Sequence, residues 1–189
     1  MINMPKDWPE EEYIDPMSWM FLQDVRDDIK KGVKDITEEE AFKGVQMIGR
    51  DHARVPMQWS NEKSAGFSTN EKTWMRVNTS YKEGINVAEE DKDKDSVLNF
   101  YRRMLAFRKE HSDSIIFGEY RGIEPDNEHT MQFFKESFDG EKLFVALNFS
   151  GEKQKVSLPD GKTELLMSSS VHPEKDDTLQ PYEGRIYRV

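Results

Sequence analysis

The apolar pattern of this chain changes period near residue 112, and that change constrains its fold more than any other feature. Before His111 apolar residues recur at helical spacing over about 37–49 and again from Ser96. Beyond it the segments are short, alternating and bounded by turn residues. Asp139-Gly140 lies between residues 129–137 and 141–149, the signal of a tight β-hairpin. Pro159-Asp160-Gly161 joins 153–158 to 162–167 in a similar way, and 115–122 and 184–189 supply two more strands. Six short antiparallel strands suffice for a small β-sandwich.

In the first part of the chain, Pro5 and Pro9 precede three glutamates. An apolar patch follows at Ile14, Met17, Trp19, Met20, Phe21, Leu22 and Val25, read as a loop leading into an irregular helix. Thr37 with Glu40 three residues on is a capping box, and Ala41, Phe42, Val45 and Ile48 follow at helical spacing, so a helix is predicted over about 37–49. A second helix is predicted from Ser96, with Val97, Leu98, Tyr101, Met104 and Leu105 on one face. The acidic residues of 89–95 supply its capping carboxylates, and Arg102, Arg103, Arg108 and Lys109 complement its dipole. The Met and aromatic residues of 17–22 and 97–107 are read as core. Between these helices, 50–88 has neither period, and a loop this long in a compact domain is usually functional.

Charge and composition narrow the function. Against 37 Asp and Glu there are 27 Lys and Arg, a formal charge of −10, which disfavours nucleic acid or an anionic membrane as partner. Aromatics make up 11%, which argues for a packed core over disorder. The chain has no cysteine, so disulfides and thiolate chemistry are excluded. No basic leader with an apolar core begins the sequence, and a cytoplasmic location is expected. The four histidines, at 52, 111, 129 and 172, form no spaced ligand pair, so neither a metal nor any other cofactor is expected.

The densest group of functional side chains is the stretch 50–59, R-D-H-A-R-V-P-M-Q-W. Arg50 and Arg54 bracket Asp51 and His52, and Trp59 follows. Planar donor forks beside an aromatic face suit a polyhydroxylated ring, and the plainer alternative is a salt-bridged helix end with a packed Trp.

The whole stretch, with A-G-F at 65–67, resembles the R-D-x-x-R-x-P-M-x-W … A-G-F motif of fungal α-glucosidases of the maltase/isomaltase (oligo-1,6-glucosidase) group, in the α-amylase superfamily. Residues 81–87 (Y-K-E-G-I-N-V), 95–101 (D-S-V-L-N-F-Y), 143–151 (L-F-V-A-L-N-F-S-G) and 181–187 (P-Y-E-G-R-I-Y) resemble the same group, in order along the chain. The resemblance is to the C-terminal third of such an enzyme, with Met1-Ile2-Asn3 similar to residues just after the last barrel strand.

It implies an α+β chain in which C-terminal helices of an incomplete (β/α)8 barrel, 1–112, precede an antiparallel β-sandwich, 113–189. It implies hydrolysis of terminal α-linked glucose by a retaining mechanism, with maltose, isomaltose or sucrose-class oligosaccharides as partners. The family's nucleophile, acid/base and stabilising carboxylates match no position here, so no residue is assigned as catalytic and the isolated chain is expected to be inactive. Arg50 or Arg54 is implied to line the glucose pocket, Arg50 the preferred of the two, with Asp51 orienting the forks. The alternative is a non-catalytic remnant, or a β-sandwich module that binds carbohydrate weakly. Barrel helices bury one face against strands, so Met17, Trp19, Phe42, Val45, Val97, Tyr101 and Leu105 are expected either to expose apolar surface or to repack.

Overall fold

The computed structural model describes residues 4–33, 35–70, 72–174 and 176–189. The similarity drawn for Met1-Ile2-Asn3 lies outside them. Contacts divide the chain into two compact units, Met1–Asp93 and Lys94–Val189.

In the first unit, Asp15 caps helix α1 (Pro16–Lys30) by accepting the Met17 N–H at 2.8 Å, and Pro16 sits at the first helical position, where its missing N–H costs nothing. Helix α2 (Glu38–Ile48) starts on the expected capping box: the Glu40 N–H donates to the Thr37 hydroxyl at 3.2 Å, and the Thr37 N–H donates to the Glu40 carboxylate at 2.9 Å. Leu22 and Val25 of α1 and Ala41 and Val45 of α2 meet Met4, Trp8, Tyr13 and Met75 in one core, against which Phe42 packs. Among its described residues the stretch 50–90 holds the short 3-10 turns Arg50–Ala53, Lys63–Gly66 and Thr79–Glu83, and a helical turn, α3 (Val87–Glu90).

The second unit opens with α4 (Val97–Glu110). Its first turn is capped by the Ser96 hydroxyl, which accepts from the Asn99 N–H at 3.2 Å. After α5 (Ser112–Ile115) come seven strands: β1 (Glu119–Ile123), β2 (Thr130–Glu136), β3 (Lys142–Asn148), β4 (Gln154–Lys155), β5 (Glu164–Ser168), β6 (Thr178–Leu179) and β7 (Gly184–Arg188). Five form an antiparallel sheet in the order β1-β2-β3-β7-β5, and β4 pairs with β6 in a two-stranded ribbon.

The Asp139-Gly140 hairpin is present between β2 and β3, with Gly140 at φ 95°. The turn at Pro159–Gly161 is present too, but its flanks do not pair. Residues 154–155 join the ribbon, and 164–168 pair with β7 in the main sheet. The chain therefore crosses between layers at this turn. One face of the sheet packs Phe134, Phe144, Ala146 and Tyr187 on Val156 and Leu179 of the ribbon layer, and the other packs Leu143 and Ile186 on Phe107 of α4. The central strands β3 and β7 are consequently buried on both faces.

The apolar residues read as core divide. Phe42 and Val45 pack inward. Met17 and Trp19, each 59% exposed, and Val97, Tyr101 and Leu105, all above 60%, face outward. Leu22, Val25 and Ile29 take the inner side of α1, and Met104 and Phe107 that of α4. Helices α1 and α4 are each apolar on more than one face, and among the described residues the faces carrying Met17 and Trp19, and Val97, Tyr101 and Leu105, stay exposed.

Candidate functional site

Helix α2 ends at Gly49. A Cβ there would stand 2.7 Å from the Val45 carbonyl oxygen, so only glycine lets the chain turn this closely. The turn Arg50–Ala53 follows at once, and it brings both predicted arginines to Asp15, 35 and 39 residues away in sequence.

The Asp15 carboxylate is the centre of the site. Its Oδ1 accepts from Arg50 Nη2 at 2.9 Å and from the Met17 N–H, and its Oδ2 accepts from Arg54 Nη1. The Arg50 hydrogen bond, with those of the Met17 N–H and Arg54, outweighs burial and holds the Asp15 carboxyl well below the usual carboxylate range. The Asp15 side chain is fully buried, whereas that of Arg50 is 61% exposed and that of Arg54 38%. A guanidinium carries five N–H donors. Arg50 and Arg54 each commit one nitrogen to Asp15, and neither makes another side-chain hydrogen bond among the described residues. The remaining donors stay available above a fixed anion.

Asp51 has a different place from the one expected. It is fully buried, and its Oδ2 accepts the backbone N–H of Asp15 at 3.1 Å. The forks are thus oriented by Asp15, and Asp51 holds the backbone that carries Asp15. Its other oxygen and the buried Tyr13 hydroxyl find no hydrogen-bond partner among the described residues. Burial, with the Asp51 charge adding to it, pushes the Tyr13 hydroxyl above its ordinary value, so it remains a protonated donor.

His52 is held at both ring nitrogens. Nδ1 accepts from the Met4 N–H at 2.9 Å, and Nε2 lies 2.9 Å from the Gln46 carbonyl, an arrangement that fits the tautomer with its proton on Nε2. Trp8 is buried, with the Arg76 guanidinium 4.7 Å above its ring, and supports the loop. Trp59 has its backbone pinned to Ala65 and Ala88 while half of its side chain is exposed. The structure brings Arg50 and Arg54 together on Asp15, a residue that sequence reasoning did not single out. The available signal was Asp15-Pro16, an N-cap residue followed by a proline suited to the first helical position.

Residues 15–118 match the family described as "Alpha amylase, catalytic domain", and 137–188 match one described as "Beta-galactosidase C-terminal domain". An α-glucosidase of Candida albicans is 38% identical over 191 aligned residues, covering 100% of this chain and 33% of that protein. An oligo-1,6-glucosidase of Saccharomyces cerevisiae is 37% identical, covering 96% of this chain and 32% of the other. Among solved structures, the trehalulose synthase of Pseudomonas mesoacidophila superposes with a TM-score of 0.82 at 34% identity, over 98% of this chain and 33% of that one. A variant of that synthase has been solved in complex with its substrate sucrose. The chain spans about a third of the length of the curated relatives it matches.

Proposed function

The chain belongs to the α-amylase family, and on that premise we propose that it forms the C-terminal portion of an α-glucosidase, holding a terminal glucose unit with Arg50 and Arg54. The reaction is hydrolysis of terminal α-linked glucose from maltose- or isomaltose-type oligosaccharides with retention, and sucrose-class sugars belong to the same partner set. On this reading residues 1–112 belong to the barrel and 113–189 form the sandwich, and the protein acts in the cytoplasm. Among the described residues no helix is long and apolar enough to cross a membrane.

The observation that carries the proposal is the convergence of two half-exposed guanidiniums on one buried carboxylate. Planar donors held in a fixed orientation bind paired sugar hydroxyls without losing much side-chain entropy, which is how a site favours one hydroxyl pattern over another. Asp15 supplies the anchor and Asp51 positions its backbone. Retaining hydrolysis needs two carboxyl groups about 5–5.5 Å apart, one on each side of the scissile bond. Asp15 is engaged by two arginines and a backbone N–H, and Asp51 is fully buried, so this cluster binds and orients while the chemistry falls to carboxylates outside it.

The test is maltose hydrolysis by the protein carrying this chain, with Arg54→Lys and Arg50→Lys. Lysine keeps the charge and loses the fork, so kcat/KM is expected to fall about 10- to 100-fold for at least one variant, as loss of one or two charge-assisted hydrogen bonds predicts. Unchanged kcat/KM in both variants would overturn the assignment.

A further inference from the structure

His52 stands between the two arginines in sequence and, among the described residues, makes no hydrogen bond to Arg50, Arg54 or Asp15. It nevertheless joins the segments that carry them. Arg50 and Arg54 belong to the turn that follows α2, whereas Asp15 ends the segment that leads into α1. The direction in which the forks face therefore depends on how these two backbones are set against each other. A 3-10 turn of four residues, Arg50–Ala53, is too short to fix that placement through its own hydrogen bonds.

Side chains fix it instead. Asp51 Oδ2 accepts the Asp15 N–H at 3.1 Å, and His52 Nδ1 accepts the Met4 N–H at 2.9 Å, so neighbouring residues of the turn grip both ends of segment 4–15. In the last turn of α2 the Gln46 side-chain amide donates to the Lys6 carbonyl at 2.8 Å. The His52 ring also reaches back to α2, where Nε2 lies 2.9 Å from the Gln46 carbonyl. One rigid ring thus holds segment 4–15 with one nitrogen and the end of α2 with the other. Tyr13, two residues before Asp15, stands edge-on to this ring with centroids 6.2 Å apart, and edge-on to Phe42 of α2 at 5.3 Å. Met4, Trp8 and Tyr13 are buried in the same core as Ala41 and Val45, so the frame that the ring joins is itself packed.

Imidazole suits this place because a ring with its proton on one nitrogen presents one donor and one acceptor at a fixed spacing. Asparagine reaches as far as the Nδ1 position and glutamine as far as the Nε2 position, and neither spans both. With both nitrogens committed, His52 acts through geometry.

We propose that His52 is a positioning residue of the arginine site: its ring ties the turn that carries Arg50 and Arg54 to segment 4–15 and to the end of α2, and so sets the direction in which the two guanidinium forks face. The effect on sugar rests on the proposed function, whereas the effect on the forks does not.

The test uses the protein carrying this chain with His52→Ala, His52→Asn and His52→Gln, and with Val25→Ala, a buried residue of α1 in the same core, as the control for loss of stability. The guanidinium N–H resonances of Arg50 and Arg54, read without sugar, are expected to move in His52→Ala, to move less in His52→Asn and His52→Gln, each of which keeps one of the two ring contacts, and to stay in place in Val25→Ala. Should His52→Ala not fold, the asparagine and glutamine variants carry the same readout. Resonances fixed in every folded His52 variant, or moved as far in Val25→Ala, would overturn the proposal. In maltose hydrolysis His52→Ala is expected to raise KM about 5- to 50-fold with kcat changed less than about 3-fold, the pattern of a misplaced binding group, while Val25→Ala lowers the melting temperature and leaves KM alone. Displaced resonances with an unchanged KM would support the positioning role and count against the proposed function.

Discussion

Among the described residues each unit holds an arginine cluster around a fully buried carboxylate, Asp15 in one and Glu183 in the other, and the two are built for opposite ends. In the sheet unit, Arg185 and Glu183 are both 1% exposed. Every donor of that guanidinium is used: Nε and Nη2 reach the two oxygens of Glu183 at 2.7 and 3.0 Å, Nη1 reaches the Asp176 carbonyl and the Tyr187 hydroxyl, and Nη2 also reaches the Thr178 carbonyl. Glu183 in turn accepts from the Ser168 hydroxyl and the Gln180 N–H. In the helical unit the carboxylate of Asp15 is equally buried, but its two arginines remain largely at the surface with donors to spare. A closed cluster fixes a fold, and an open one leaves hydrogen-bonding capacity for a ligand. Both pair guanidinium with carboxylate, and they differ in exposure and donor use.

The largest effect should come from opening the closed cluster. Arg185→Ala leaves Glu183 buried without its partner and is expected to destabilise the sheet unit by about 3–5 kcal/mol, read as loss of near-ultraviolet signal at lower denaturant. A change below about 1 kcal/mol would mean that the pair is not structural. Arg54→Ala, in the open cluster, should alter sugar binding far more than melting temperature, since a partly exposed arginine anchors little of the core.

Acid should weaken both clusters. Burial alone would raise the Glu183 carboxyl, but the hydrogen bonds from Arg185, the Gln180 N–H and Ser168 prevail and hold it below its ordinary value. Asp15 is lowered as well. For a carboxyl with a depressed folded-state value, stability is fully present above the unfolded value, near ~4.3 for Glu, and is lost as pH falls through the folded value. Glu183→Gln should therefore flatten the stability profile of the sheet unit below about pH 4.5. An acid limb as steep as in the parent chain would contradict this. Thr37→Ala removes one side-chain cap from α2, for about 0.5–2 kcal/mol in the helical unit. Phe138, 99% exposed at the hairpin tip, should tolerate serine within about 0.5 kcal/mol.

What the sequence disclosed follows how local each signal is. The Thr37–Glu40 capping box and the Asp139-Gly140 turn each act within a few residues, and both are present as read. The Pro159–Gly161 turn is equally local, but the partners of its flanks are not. Pairing with β6 and β7 is decided by distant segments, so a hairpin reading failed there. Helical spacing in α1 and α4 identified helices without showing which apolar face is covered, because each has several. In the site, the arginines stood out as a dense motif. Asp15 lay 35 residues from Arg50, in a stretch read as a loop, and only the fold joins them. Asp51 was adjacent to Arg50 in sequence, yet its carboxylate points to the backbone of Asp15 instead.

The central claim is that the open arginine cluster receives a sugar while the closed one does not. The direct measurement is a titration with maltose that follows the guanidinium N–H resonances of Arg50, Arg54 and Arg185 in one sample, with Arg185 as the internal control. The account predicts saturable shifts at Arg50 and Arg54 and none at Arg185. Shifts absent from both Arg50 and Arg54 as maltose is raised well beyond millimolar levels, or equal in size at Arg185, would contradict it.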